Sequence, residues 1–160
     1  MKADQRVRSV SALLGFIGAS FVAGAIGSAA TFPNVRSWYP GLAKPAWNPP
    51  AAIFAPVWSV LYVLMGVAIW RVWRTRHPAA ASLVRLHFVQ LALNALWSVL
   101  FFGLKRPDWA LGEIVVLGSL LAWLQIRLWQ RDRVAGGLWL PYLLWVGFAT
   151  ALNLAIVRLN

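Results

Sequence analysis

Three sets of residues recur at helical spacing, each mixing aromatic rings with a few polar groups. Trp58, Tyr62 and Met65 fall at i, i+4 and i+7, on one helical face. Gln90, Asn94, Trp97, Ser98 and Phe101 form a second stripe, and Tyr142, Trp145, Ala149, Leu152 and Asn153 a third. Indole and phenol faces can stack on a flat ligand, and amides and a hydroxyl can hydrogen-bond to its edge. Aromatic walls with a few convergent polar groups are what small-molecule sites look like. The plainer use of the same residues is packing, with amides bonding across helices and rings filling a core. Taken one by one the residues favour packing; taken as a set they favour a pocket.

Other chemistries are poorly supplied. The chain has no cysteine, which removes thiol nucleophiles, thiolate metal sites and disulfides. His77 and His87 are not at ligand spacing and no carboxylate cluster accompanies them, so no metal site is expected, and His87 is expected at the membrane interface. No nucleophile–base pair, phosphate loop or carboxylate pair occurs. Of the four acids, Asp4, Asp108, Glu113 and Asp132, only Glu113 falls inside an apolar run. It is either an intramembrane functional group or a structural one, reaching the headgroups or pairing with Lys105 or Arg106.

The elements that must position these stripes are membrane spans. Of the 160 residues, 61% are hydrophobic and only 12% charged. A chain of this size cannot hide so much apolar surface in a soluble globule. Five stretches are long enough to cross a bilayer, at roughly 9–32, 52–73, 82–104, 109–129 and 136–157. They lack the sustained alternation of barrel strands, so the fold class is an all-α integral membrane protein, a single five-helix bundle. Pro56 and Pro141 fall near predicted helix starts, where proline costs little. The first span also has the basic start and small residues of a signal peptide. Its length, and small residues at packing spacing (Gly15 with Ala19, Ser20 with Gly24, Ala23 with Gly27), favour a retained helix.

The net charge of +11 reflects topology rather than nucleic-acid binding. Ten basic residues (Lys2, Arg6, Arg8, Arg71, Arg74, Arg76, Arg85, Arg127, Arg131, Arg133) fall on one side of the spans and five (Arg36, Lys44, Lys105, Arg106, Arg158) on the other. This bias predicts a cytoplasmic N-terminus and fits a bacterial inner membrane. Hydropathy is equally compatible with an outer membrane. Of eleven tryptophans, Trp70, Trp73, Trp109, Trp129 and Trp139 lie near predicted span ends and are expected in the interfacial belt.

The connection 33–51 contains "WYPGLAKPAWNPP", residues 38–50. Four prolines exclude regular helix there, yet two tryptophans and a tyrosine are costly to leave in water. A stiff aromatic segment suits a lid over the stripes, because its prolines reduce the entropy lost on ordering it.

These residues carry a resemblance. "WYPGLAKPAWNPP", "FAPVWSVLYVLM", "QLALNALWSVLFFG" and "LPYLLWVGFATALN" are similar, in order and spacing, to segments of the tryptophan-rich sensory protein family, also known as the translocator protein or peripheral benzodiazepine receptor family. The likeness runs from about residue 38 to the C-terminus; the first span matches only in character. It implies a five-helix bundle, usually a homodimer, in which small residues such as Ala92 and Ala95 would serve the contact. It also implies a site for porphyrins (protoporphyrin IX or haem) and synthetic benzodiazepine-type ligands, with no covalent cofactor. Carried across, the family's ligand positions are Tyr39, Pro49, Phe54, Trp58, Asn94, Trp97, Ser98, Trp145, Phe148, Ala149 and Leu152. Trp58 and Trp145 match the tryptophans tied to light-dependent porphyrin breakdown. The family's cholesterol motif is incomplete, with Leu154 at the place of its tyrosine before Arg158, so specific cholesterol recognition through it is not expected. Three functions follow, in this order: a non-enzymatic tetrapyrrole sensor or carrier, an enzyme-like porphyrin degrader, and a transporter or scaffold without a dedicated ligand.

Overall fold

The computed structural model describes the backbone of residues 2–160 and the side chains of 4–160. It contains five long helices: α1 (Lys2–Val35), α2 (Ala51–Arg74), α3 (Ala80–Ser98), α4 (Pro107–Arg131) and α5 (Arg133–Leu159). All five are long and apolar enough to cross a membrane, and no strand occurs among the described residues. Each begins before and, except for α3, ends after its sequence-predicted limits. α4 starts on Pro107, whose missing N–H costs nothing at that position, with Asp108 in its first turn. α5 starts where Asp132 caps it, its Oδ1 accepting from the N–H groups of Val134 (2.8 Å) and Ala135 (3.1 Å). That start places Pro141 two turns inside the helix rather than near its beginning. α3 passes into a π-helical turn, Val99–Gly103, before the chain reverses.

The helices form a closed ring in the order α1, α2, α5, α4, α3. All neighbours in it are antiparallel except α1 and α3. The α4–α5 hairpin has the most regular seam. Ala110, Ile114, Leu117, Leu121, Leu124 and Leu128 are all buried, and so are Ala135, Trp139, Tyr142 and Val146 on the facing helix. Both sets alternate steps of four and three, the period at which paired helices interlock side chains.

Small residues set the close approaches of α1. A Cβ on Gly66 of α2 would lie 2.9 Å from the Ile17 backbone, and one on Gly24 would lie 2.4 Å from the Tyr62 ring. Gly15 has nothing within 4 Å, so of the predicted packing positions the later ones do the work.

Two sequence expectations are corrected here. Trp139 is not an interfacial residue but is fully buried, because α5 starts earlier and carries it two turns inward onto the seam. His87 is not at the interface either. It is fully buried between Phe16, Phe88 and Trp139, with ring centroids 5.6–6.2 Å away. Trp73, Trp109 and Trp129 are exposed as expected, whereas Trp70 is half-buried and ties α2 to α1 by donating from Nε1 to the Ser9 carbonyl at 2.8 Å.

Candidate functional site

Residues 36–50 close one end of the ring, with a short 3-10 turn at Tyr39–Gly41. This lid is fastened by its own polar groups. Lys44 Nζ donates to the carbonyls of Tyr39 (2.9 Å), Leu42 (2.6 Å) and Pro40 (3.3 Å), and lies 4.9 Å from the centre of the Tyr39 ring. Tyr39 donates to Asn48 Oδ1 at 3.0 Å. Burial raises the Tyr39 phenol above its ordinary pKa, partly offset by that bond. The Asn160 side chain, at the end of α5, ties the lid down by accepting from Ala43 N and donating to Ala43 O, each at 3.0 Å. The end of α1 that leads into the lid is held to the π turn by Asn34 Nδ2, which donates to the Phe102 carbonyl at 3.0 Å.

Beneath the lid the aromatic residues are packed against one another. Tyr39 meets Phe101 and Phe102 (ring centroids 6.2 and 5.5 Å), Trp97 stacks on Phe101 (5.0 Å), and Trp38 meets Phe101 edge-on (6.0 Å). Phe54, Phe148 and Leu152 join the same cluster. The π turn serves this layer: with Phe101 and Phe102 consecutive inside it, their rings stand 4.8 Å apart and both reach Tyr39. On the α2–α5 side, Trp58 stacks on Tyr62 (5.4 Å) and meets Tyr142 edge-on (6.1 Å), while Trp145 packs against Phe54 (5.8 Å) and Phe148 (5.6 Å). Trp47 of the lid rests on Phe148 at 5.8 Å.

The polar members of the stripes are turned inward and joined across three helices. Tyr62 donates to Asn94 Oδ1 (3.5 Å), Asn94 Nδ2 to Tyr142 (3.3 Å), and Tyr142 to Gln90 Oε1 (2.8 Å). Gln90 Nε2 lies 3.2 Å from His87 Nδ1, which must accept. Nearer the lid, Trp97 donates to Asn153 Oδ1 (3.0 Å) and Asn153 Nδ2 to the Pro107 carbonyl (2.8 Å). Asn94 and Asn153 thus act as interhelical bonds, the use that the packing reading of the stripes gives them. Ser98 faces elsewhere: its Oγ is 3.0 Å from where a Cβ on Gly27 of α1 would be. Pro49 is half-buried in the lid, its carbonyl accepting from Asn48 Nδ2 at 3.3 Å, and Ala149 is half-buried on α5.

An apolar hollow lies on the flank between α2 and α5, with a volume of about 580 Å³. Pro56, Val57, Val60, Leu61 and Leu64 line one wall; Pro141, Leu144, Trp145 and Phe148 line the other. That volume falls within the range of small-molecule sites. Each proline lacks the N–H that would bond one turn back. Trp145 and Phe148 both line this groove and pack within the aromatic layer. The sequence stripes missed the groove. The signal available was a proline inside each of two facing spans.

Glu113 is buried on the inner stripe of α4, and neither carboxylate oxygen has a protein partner. It does not pair with Lys105 or Arg106; Arg106 Nε instead donates to Asp108 Oδ1 at 2.9 Å. Among the described residues no cluster of His, Cys, Asp and Glu could hold a metal ion.

Comparison with known proteins agrees with this architecture. The TspO/MBR family model matches residues 16–159. The chain is 38% identical over 148 residues to the tryptophan-rich protein TspO of Archaeoglobus fulgidus, covering 92% of this chain and 96% of that one. It is 40% identical over 123 residues to the tryptophan-rich sensory protein of Cereibacter sphaeroides, covering 77% of each. It is 35% identical over 148 residues to the human translocator protein, covering 91% of this chain and 82% of that one. With five apolar spans, a proline-aromatic lid and this match over nearly its whole length, the chain is an integral, multi-pass membrane protein and belongs to the TspO/MBR family.

Proposed function

We propose that the protein binds tetrapyrroles, protoporphyrin IX or haem precursors, and related flat hydrophobic molecules such as benzodiazepine-type ligands, as a sensor or carrier. The observation that carries this reading is the 580 Å³ apolar groove, two of whose wall residues, Trp145 and Phe148, also belong to the aromatic layer under the lid. A macrocycle is flat, apolar on its faces and polar at its edge. Trp58, Trp145 and Phe54 supply faces to stack on, and the groove supplies an apolar bed. The names of the relatives, sensory protein and translocator protein, fit a non-enzymatic role. The ten-to-five distribution of basic residues supports a cytoplasmic arginine-rich end in a bacterial inner membrane, with the lid outward. A homodimer through α3 is supported by exposed Ala92; Ala95 is buried within the protomer and does not contribute.

A second reading is favoured by one observation. Trp58 stacks on Tyr62, whose phenol starts the buried hydrogen-bond chain. A stacked indole–phenol pair is suited to act as a redox participant beside a photoexcited porphyrin, which favours light-dependent porphyrin breakdown.

The test is a dark titration of the purified protein with protoporphyrin IX, following tryptophan fluorescence. Saturable quenching that Trp58→Phe and Trp145→Phe weaken, and Trp73→Phe leaves alone, supports the site. Equal, non-saturating quenching in all of them means simple partitioning into detergent and overturns it. Illumination then separates binder from degrader: porphyrin loss that vanishes in either pocket variant favours the second reading.

A further inference from the structure

At the end of the bundle opposite the lid, a second hollow of about 330 Å³ is lined by Arg71, Arg74, Thr75 and Asp132. It lies where the end of α2 meets the α4–α5 reversal. We propose that this hollow is a site for the headgroup of an anionic phospholipid.

The charges are arranged for it. Arg71 reaches Asp132 through Nε, at 2.9 Å, and among the described residues its two terminal nitrogens have no hydrogen-bond partner. Arg74 lies over the Trp70 ring, 4.5 Å from its centre, and forms no ion pair among the described residues. Stacking holds a guanidinium in place while leaving its N–H edge free for a phosphate, which a guanidinium meets with two parallel bonds. Arg76, Arg131 and Arg133 stand on the two neighbouring turns, and His77 is held by Arg131 at 2.9 Å. The one carboxylate lining the hollow is already engaged: Asp132 accepts from two backbone N–H groups through Oδ1 and from Arg71 through Oδ2.

The charge balance selects the lipid. Two guanidinium groups and one carboxylate line the hollow, and that carboxylate is already paired with Arg71, so the hollow keeps a positive charge. A headgroup of net negative charge complements it better than a zwitterionic one. Depth selects a lipid over a soluble phosphate ester. Trp73 and Trp129, both exposed, lie at the same end of α2 and α4 as the hollow, where indoles sit at headgroup level. The hollow shares no lining residue with the α2–α5 groove, so the proposal does not depend on the ligand reading above.

The test is native mass spectrometry of the intact protein released from detergent, titrated with phosphatidylglycerol or phosphatidylcholine. Wild type should retain phosphatidylglycerol preferentially. Arg74→Gln should lower that retention about fivefold, the effect of one interfacial arginine. Arg158→Gln, at the lid end, should leave it unchanged. Arg74→Lys, which keeps the charge but not the fork, should fall between, with melting curves confirming that both variants fold. Equal loss in the Arg74 and Arg158 variants, or no preference for phosphatidylglycerol in wild type, overturns the proposal. So does complete displacement by millimolar inorganic phosphate, which would mark a site for a soluble anion.

Discussion

The Tyr142 phenol donates to Gln90 Oε1 at 2.8 Å, in a part of the bundle where both residues have no exposed surface. It also accepts from Asn94, so one hydroxyl joins two amides of α3 to α5. Tyr62 reaches the same chain from α2 through a longer contact of 3.5 Å. Tyr142→Phe leaves two buried amide groups short of a partner and should cost about 1–3 kcal/mol. Tyr62→Phe gives up only the weaker bond and should cost less. Denaturant unfolding of both variants in the same detergent measures the difference, and equal costs would show that the chain is not cooperative.

Gly66 and Gly15 make opposite predictions. A methyl at Gly66 meets the Ile17 backbone and forces α1 away from α2, so Gly66→Ala should destabilise by about 1–3 kcal/mol. Gly15 faces open space, so Gly15→Ala should be neutral or stabilising by up to about 1 kcal/mol, since alanine is the better helix former. Thermal melts decide both.

Acid should loosen the arginine-rich end. Partial burial lifts the Asp132 carboxyl, but its bonds from Ala135 and Val134 and the Arg71 guanidinium outweigh that and hold it below its ordinary value. A carboxyl lowered by folding contributes stability that is present above its unfolded value of about 4 and is lost as pH falls through the folded value. Asp132→Asn keeps a capping side chain yet loses the charge. It should melt lower than wild type at neutral pH and converge with it in acid. A constant gap across that range would assign the effect to capping rather than to the ion pair.

The lid and the groove predict different routes for a ligand. The lid is held by a run of hydrogen bonds, two of them between Ala43 and Asn160, whereas the groove between α2 and α5 is lined by apolar residues. The chain has no cysteine, so Ala43→Cys with Asn160→Cys gives a single reversible staple, its formation checked by gel mobility. Oxidising it should leave the association rate of protoporphyrin IX unchanged, while Leu144→Trp, which fills the groove, should slow it severalfold. The reverse pattern would make the lid the door.

What could be read from the chain tracks how local each cause is. The stripes through Trp58, Asn94 and Tyr142 follow from helix period alone, and the inward turn of Asn94 and Asn153 follows from the cost of a bare amide in hydrocarbon. Trp139 lies near the end of its apolar run and so reads as a belt residue, but the cap at Asp132 starts the helix earlier and moves that end outward. Its spacing from Ala135 and Tyr142 would have put it on the seam. His87 lies one turn before Gln90 on the same buried stripe, yet reads as interfacial when its position in the span is weighed alone. The Ala43–Asn160 clasp joins residues far apart in sequence, and neither residue type signals it. The π turn at Val99–Gly103 likewise leaves no mark beyond the glycine that ends it.

The groove at Pro56 and Pro141 also changes how affinity must be counted. It opens toward hydrocarbon rather than water, so a molecule using it arrives already dissolved in lipid. The quantity that fills the site is then the ratio of ligand to lipid, not the amount per volume of buffer. For a strongly partitioning ligand, adding empty vesicles at fixed ligand and protein would dilute it and lower occupancy, although its total concentration in the sample had not changed.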